Sequence, residues 1–259
     1  MKSILKLWDN KDFILTLSKR EINSKYKQSL LGRLWIIISP LGLMAVMTLV
    51  FSIFVKLPSE GLPYAPFLFV ALLPFMYFNS AISESPKIIN GYAGLIRQRN
   101  FYRPSLVFIK FFAHTINFFF TLIGLVLVLI IFKIYPGINA LFAIPILFIQ
   151  MMLILGVMFI FAGVNAYVRD FGMIAPLGLR LMRYLSPIMY SYRDLPIQFQ
   201  PFLALNPLTG IFDGYRQTLL HNQVPDLTLL SYSFIFSLVL LVIGWSIFMK
   251  LEKNFADVV

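Results

Sequence analysis

The segment FFAHTINFFFTLIGLVLVLIIF, residues 111–132, runs between Lys110 and Lys133 without a formal charge. Its 22 residues match the roughly 20 that an α-helix needs to cross a hydrocarbon core about 30 Å thick. The same test, carried outward, finds charge-free stretches at 34–55, 61–83, 134–168 and 227–249. The 35-residue stretch 134–168 is too short for two crossings with a turn. It is read as a loop at Tyr135-Pro136-Gly137 followed by one long helix. Residues 171–192 are also apolar but carry Arg180 and Arg183. They are counted as a span because an odd total would put the two termini on opposite sides. The expected spans are therefore 34–55, 62–83, 111–132, 139–168, 171–192 and 228–249.

Charge in the connecting segments orients these spans. Lys and Arg number eight in residues 1–33, five in 84–110, one at 169–170 and two in the tail. The alternate connections hold only Lys56, Lys133, Arg193 and Arg216. Sixteen against four is a strong positive-inside bias, and it places both termini in the cytoplasm of a multi-pass inner-membrane protein. The continuous apolar runs predict an all-α fold, since barrel strands would alternate in hydrophobicity.

Composition agrees. Hydrophobic residues make up 59%, charged residues 13%, and mean hydropathy is +0.82, too little polar material to cover a soluble domain of this length. The net charge of +11 sits between apolar runs, where it reads as topology and headgroup contact rather than nucleic-acid binding. Cysteine is absent, which excludes a disulfide framework or a Cys-ligated metal. Residues 1–33 are studded with charge and do not form a cleavable signal.

Three segments outside the spans are long enough to carry function. In residues 8–30, Trp8, Ile14, Leu15, Leu17 and Ile22 mix at helical spacing with Lys11, Lys19, Arg20, Lys25 and Lys27. That pattern predicts a helix lying in the cytoplasmic interface, the plainer alternative being a solvated segment. The cytoplasmic loop 84–110 carries a short helix-compatible run and then Arg97-Gln98-Arg99-Asn100-Phe101-Tyr102-Arg103-Pro104, suited to anionic lipid or to a cytoplasmic partner. The external segment 193–227 is too apolar for an ordinary loop and is broken by Pro196, Pro201, Asn206-Pro207 and Gly210. It predicts re-entrant helices packed on protein or lining a wet cavity.

Several chemistries are missing. No Gly-rich loop ends in Gly-Lys-Ser/Thr, so the chain lacks a P-loop. His114 and His221 stand alone, with no metal-ligand spacing. No serine has a recognisable base beside it. The charge-free spans contain no carboxylate of the kind ion-coupled transporters use. Energy for uphill transport is then expected from another polypeptide.

Residues Arg20-Glu21-Ile22, Tyr26-Lys27-Gln28-Ser29-Leu30-Leu31-Gly32-Arg33-Leu34-Trp35 and Pro40 resemble the opening signature of type-2 ABC exporter permeases, whose closest members export O-antigen, capsular polysaccharide or teichoic acid. The likeness continues at Arg169-Asp170, Ser186-Pro187-Ile188-Met189-Tyr190, Leu205-Asn206-Pro207-Leu208, Tyr215-Arg216 and Glu252 with Phe255-Ala256-Asp257. One motif departs: the family's Phe-Pro-Arg is replaced by Phe101-Tyr102-Arg103-Pro104. The resemblance implies six spans, an interfacial N-terminal helix, a coupling helix between spans two and three, and re-entrant helices between spans five and six. It also implies a homodimer, a separate ABC ATPase that binds ATP and magnesium, and a glycan carried on polyprenyl diphosphate. No cofactor, metal or catalytic residue is expected on this chain itself.

On that footing, ATPase coupling is expected at Glu84, Lys87, Arg97 and Arg99 in the loop, with Arg20, Tyr26 and Lys27 near the N-terminus. A substrate path is expected along Arg180, Arg183, Tyr184, Tyr190, Tyr192, Phe199 and Phe202. Helical rise puts the two arginines about 15–20 Å beyond Asp170, near mid-membrane and on one face. The alternative is that the fifth span starts later and both snorkel to the cytoplasmic surface. A membrane-embedded glycan or lipid transferase is the other class weighed; Asp194, Asp213 and Asp226 are available to it, but no constellation links them.

Overall fold

The computed structural model describes residue 7 and residues 10–26, 30–98 and 102–255, with the side chains of Lys25, Tyr26, Arg97 and Gln98 outside the described set. All regular structure among these residues is helical. The principal helices are α1 (Lys11–Tyr26), α2 (Trp35–Thr48), α3 (Tyr64–Glu84), α4 (Ile88–Gly91), α5 (Ala93–Gln98) and α6 (Ser105–Ile131). They continue as α7 (Ala143–Asn165), α8 (Phe171–Leu185), α9 (Gln200–Ala204), α10 (Pro207–Leu219) and α11 (Leu227–Leu251).

Helix α3 is the hub. It is apolar all round, and 16 of its 21 residues are buried, as expected for a helix with neighbours on every side. Helices α2, α6, α7, α8 and α10 all pack on it. The closest helix pair is α7 with α11. They cross where two glycines meet, so tightly that a Cβ on Gly244 would sit 2.3 Å from the Gly156 carbonyl oxygen. Among lipid tails no hydrophobic drive pulls helices together, and small residues gain contact by letting backbones approach. Gly210 repeats the device between α10 and α11, against Leu229 and Ser233.

Among the described residues, five helical stretches are long and apolar enough to cross a membrane: Gly32–Phe54, Tyr64–Gly91, Ser105–Ile131, Ile138–Asn165 and Leu227–Asn254. The first continues α2 through a π-helical turn at Leu49–Phe54. The bundle has two polar ends. At the proximal end α1 packs on α6, Asn165 donates to the Pro86 carbonyl, and Arg103 donates to that of Glu252. At the distal end Ser191 donates to Glu60, and Asn139 donates to the Asn222 carbonyl.

Two expected boundaries shift. Helix α6 begins at Ser105, not at 111, because Lys110 is held inside the helix by a carboxylate partner instead of ending it. The stretch expected as a span at 171–192 is helical only over Phe171–Leu185. Fifteen residues rise about 22 Å, short of a hydrocarbon core. The chain covers the remaining distance to the distal end as non-helical backbone that starts at Ser186, φ −103° and ψ 144°. Helix α1 also differs from a purely lipid-facing helix. Ile14, Ser18 and Ile22, four residues apart, are buried, and Ser18 Oγ lies 2.9 Å from the Ile109 carbonyl of α6. Trp8 lies outside the described residues.

Candidate coupling and translocation sites

At the proximal end four elements share one ionic network. Lys110 and His114 are four residues apart, hence on one face of α6. Lys110 Nζ lies 2.7 Å from Glu21 Oε2 on α1 and 3.8 Å from Glu84 Oε2 at the last turn of α3. His114 Nε2 is 3.2 Å from the same Glu84 oxygen. Tyr92, between α4 and α5, donates its phenol proton to Glu21 Oε1. Burial alone would raise the Glu21 carboxyl, but the hydrogen bonds from Lys110 and Tyr92 outweigh it and hold the group below its ordinary range. Burial, reinforced by the bond to Glu21, pushes the Tyr92 phenol well up. The network therefore joins α1, the end of α3, the loop and the start of α6.

Of the residues expected to couple, Glu84 belongs to this network, while Lys87 and Arg20 are exposed nearby in sequence. The side chains of Tyr26 and Arg97, and all of Lys27 and Arg99, lie outside the described residues. Glu21, Tyr92, Lys110 and His114 were not foreseen. Their signal is the Lys110–His114 spacing, which a span boundary at Lys110 hides.

The two arginines of α8 lie on a helix anchored mainly by Ala175 and Leu179. Much of the rest of it is uncovered: Met173, Leu177, Leu181 and Tyr184 are among its exposed residues, and so is Arg180. Arg183 is half-buried, its guanidinium carbon 5.8 Å from the centroid of Phe75, halfway along α3. That is within cation–π range.

The non-helical stretch after α8 is held by a residue from α10. Arg216, 1% exposed, donates to the carbonyls of Pro187 at 2.8 Å, Ile188 at 2.6 Å and Tyr190 at 3.1 Å. Its Nε reaches the Phe67 carbonyl of α3, and the guanidinium lies 3.8 Å over the Phe67 ring. Backbone outside a helix has no internal partners, and burying it unpaired is costly. The five donors of one guanidinium resolve that here.

The expected aromatic residues spread around this clamp. Tyr190 donates to the Tyr184 carbonyl at 3.0 Å. Tyr184, Phe199 and Phe202 are exposed, and Tyr192 is half-buried. Below them Arg193 pairs with buried Asp213 at 3.2 Å. Glu60 accepts from Ser191, with His221 Nε2 2.8 Å away but off hydrogen-bonding geometry.

Five apolar helices, with titratable side chains gathered mainly toward the two ends, define a multi-pass helical membrane protein. The chain belongs to the ABC-2 type transporter family, whose model matches residues 13–220. It is 27% identical to an O-antigen export system permease protein RfbA of Klebsiella pneumoniae, over 95% of each chain. It is 24% identical to the protein of that name from Myxococcus xanthus, over 99% of each. It is also 24% identical to the polysialic acid transport protein KpsM of Escherichia coli, over 90% of this chain and 91% of that one. A permease family fits a non-catalytic membrane subunit.

Proposed function

We propose that this chain is the membrane-spanning subunit of an ATP-driven exporter. The exporter moves a lipid-linked, O-antigen-like polysaccharide across the bacterial inner membrane, as a homodimer with a separate ABC ATPase. The observation that carries this reading is the end-to-end likeness to export permeases, 95% of both chains for the Klebsiella pneumoniae protein. The proximal end is the cytoplasmic face, since the connections gathered there hold most of the Lys and Arg. Helix α8 with residues 186–190 is then the sixth crossing. Helices α9 and α10 form the re-entrant hairpin, and the uncovered face of α8 looks onto a conduit shared with the second copy. The substrate is a glycan on polyprenyl diphosphate, which the arginines and distal aromatics would guide. The Glu21–Lys110–Glu84 network would carry the motion of the ATPase, docked at 84–100 and α1, into α3 and α6.

Removing the chain from its host should leave surface polysaccharide missing while lipid-linked polymer accumulates inside. The tagged chain should bring down a P-loop ATPase and a second copy of itself. Normal surface polysaccharide without the chain, or turnover of a glycan by the purified chain alone, would overturn the reading.

A further inference from the structure

Among the described residues, the charge left without a partner at membrane depth is all of one sign. The spanning stretches Gly32–Phe54, Ser105–Ile131 and Ile138–Asn165 contain no carboxylate. Those of the other two stretches, Glu84 and Glu252, stand toward the proximal end. Asp213 of α10 is buried and taken by Arg193 at 3.2 Å. Arg216 spends its charge on backbone carbonyls. What remains are Arg180 and Arg183 of α8.

Helical rise sets these two residues about 14 and 18 Å beyond Phe171, where α8 begins. The contact of Arg183 with Phe75, the twelfth of the 21 residues of α3, marks the same mid-membrane depth independently. Being three residues apart, the two guanidinia share one face of α8. Neither has a carboxylate partner among the described residues, and Arg180 is exposed. At that depth the side chain of Arg180 does not reach the proximal headgroups. Two like charges left there are costly unless water or an anion meets them. The exposed residues beside them, Leu177, Leu181 and Tyr184, bring no negative group. Passages walled by Arg or Lys favour anions, and a cleft lined by one sign of charge concentrates counter-ions within it.

We infer that the polysaccharide carried past α8 is anionic along its length, with a carboxylate or phosphate in its repeating unit. This rests on the export reading and narrows its substrate class. A carrier diphosphate is also anionic, but it passes the two arginines once per molecule, whereas the repeats occupy that depth for the rest of the passage. A neutral glycan would pack its C–H faces on Tyr184 and the distal aromatics and leave both cations unmet. A cationic one would be repelled.

The test begins with the surface polysaccharide that disappears when the chain is removed from its host. Its repeating unit, solved by NMR and checked by retention on an anion-exchange column, should hold at least one carboxylate or phosphate. A second arm compares the double variant Arg180→Gln/Arg183→Gln with wild type, by the length ladder of exported polymer on a gel. Surface polymer should fall about tenfold, the low end of enrichment by a focused field, and the loss should deepen with the number of repeats. Chain abundance should stay as in wild type. Arg180→Lys/Arg183→Lys, which keeps the charge, should recover most of the loss. A repeating unit with no charge, a loss equal at every length, or undiminished export would overturn the inference and leave the export reading standing. The equal loss would assign the arginines to the diphosphate instead. If removing the chain costs the host no surface polysaccharide, the export reading falls, and this inference with it. If the double glutamine variant does not accumulate, the repeating unit decides.

Discussion

Replacing Arg216 by methionine keeps a long flexible side chain and removes every donor. Four carbonyls lose their partner: Phe67, Pro187, Ile188 and Tyr190. A hydrogen bond to a charged group contributes about 1.5–3 kcal/mol net, and a buried acceptor left unpaired costs about 1–3 kcal/mol. These do not simply add, because the variant also escapes the desolvation cost of burying a guanidinium. Truncating one side of a buried charged network costs about 3–5 kcal/mol, and that is the expected loss. It should be localised, since three of the four carbonyls lie within Pro187–Tyr190.

Thermal denaturation in detergent, followed by fluorescence-detected size exclusion, reads the magnitude. Limited proteolysis reads the place, with new cuts between residues 186 and 199. Arg216→Lys, able to reach one or two carbonyls as a point charge, should fall between wild type and methionine. Arg180→Gln is the contrast: Arg180 is exposed on α8, and its removal should change stability by no more than about 0.5 kcal/mol. A methionine variant as stable as wild type, with no new cuts, would refute the idea that Arg216 holds the unwound segment.

Gly244→Ala drives a Cβ to 2.3 Å from the Gly156 carbonyl oxygen, an overpacking worth about 1–3 kcal/mol. It should lower the melting temperature, whereas Gly178→Ala, with open space around it, should be neutral or slightly stabilising. Equal effects would disprove the glycine crossing. Glu21 is held below its ordinary value of 4.5, so its contribution to docking α1 is complete above that pH and fades as pH falls through the lowered folded value. Amide protection in α1, corrected for the intrinsic pH dependence of exchange, should stay flat from pH 7 to 5 and fall only under more acid conditions. Glu21→Gln should lower that protection at pH 5–7, converge with wild type in acid, and flatten the profile. Cysteines at positions 180 and 183 should react with water-soluble thiol reagents from the distal side as well as the proximal one. Labelling confined to the proximal side, or none, would end their role in a conduit.

How far the sequence could be read depended on where each element finds its partners. The five long helices were legible because their signal is local: a charge-free run long enough to cross hydrocarbon. Helix α3 as the hub was not legible, for its run looks like the others until its neighbours cover it. Lys110 misled because a lysine in sequence marks an interface, yet in the fold Glu21, 89 residues away, brings it into the helix. The stop at Ser186 has a local signal in Pro187, which drives the residue before it into extended backbone. What the local sequence does not show is that the unwound backbone after it is held by non-local donors from Arg216. The external segment was recognised as too apolar for a loop, but not that its one deeply buried cation holds the preceding strand of backbone.

The arginines show how one side chain serves different ends at different depths. Arg216 is enclosed, and its charge goes entirely into backbone carbonyls that would otherwise face apolar surroundings. Arg183 shares an aromatic face with the core, and Arg180 lies open on α8. An uncompensated arginine at membrane depth is costly unless it meets protein or water. The cost differs by position: Arg216 has already met its partners within the chain, whereas Arg180 has not. Among these three, a molecule arriving from outside the chain can therefore change the energy of Arg180 most and that of Arg216 least. Substitution of Arg180 should alter transport with little effect on stability, and substitution of Arg216 should do the reverse.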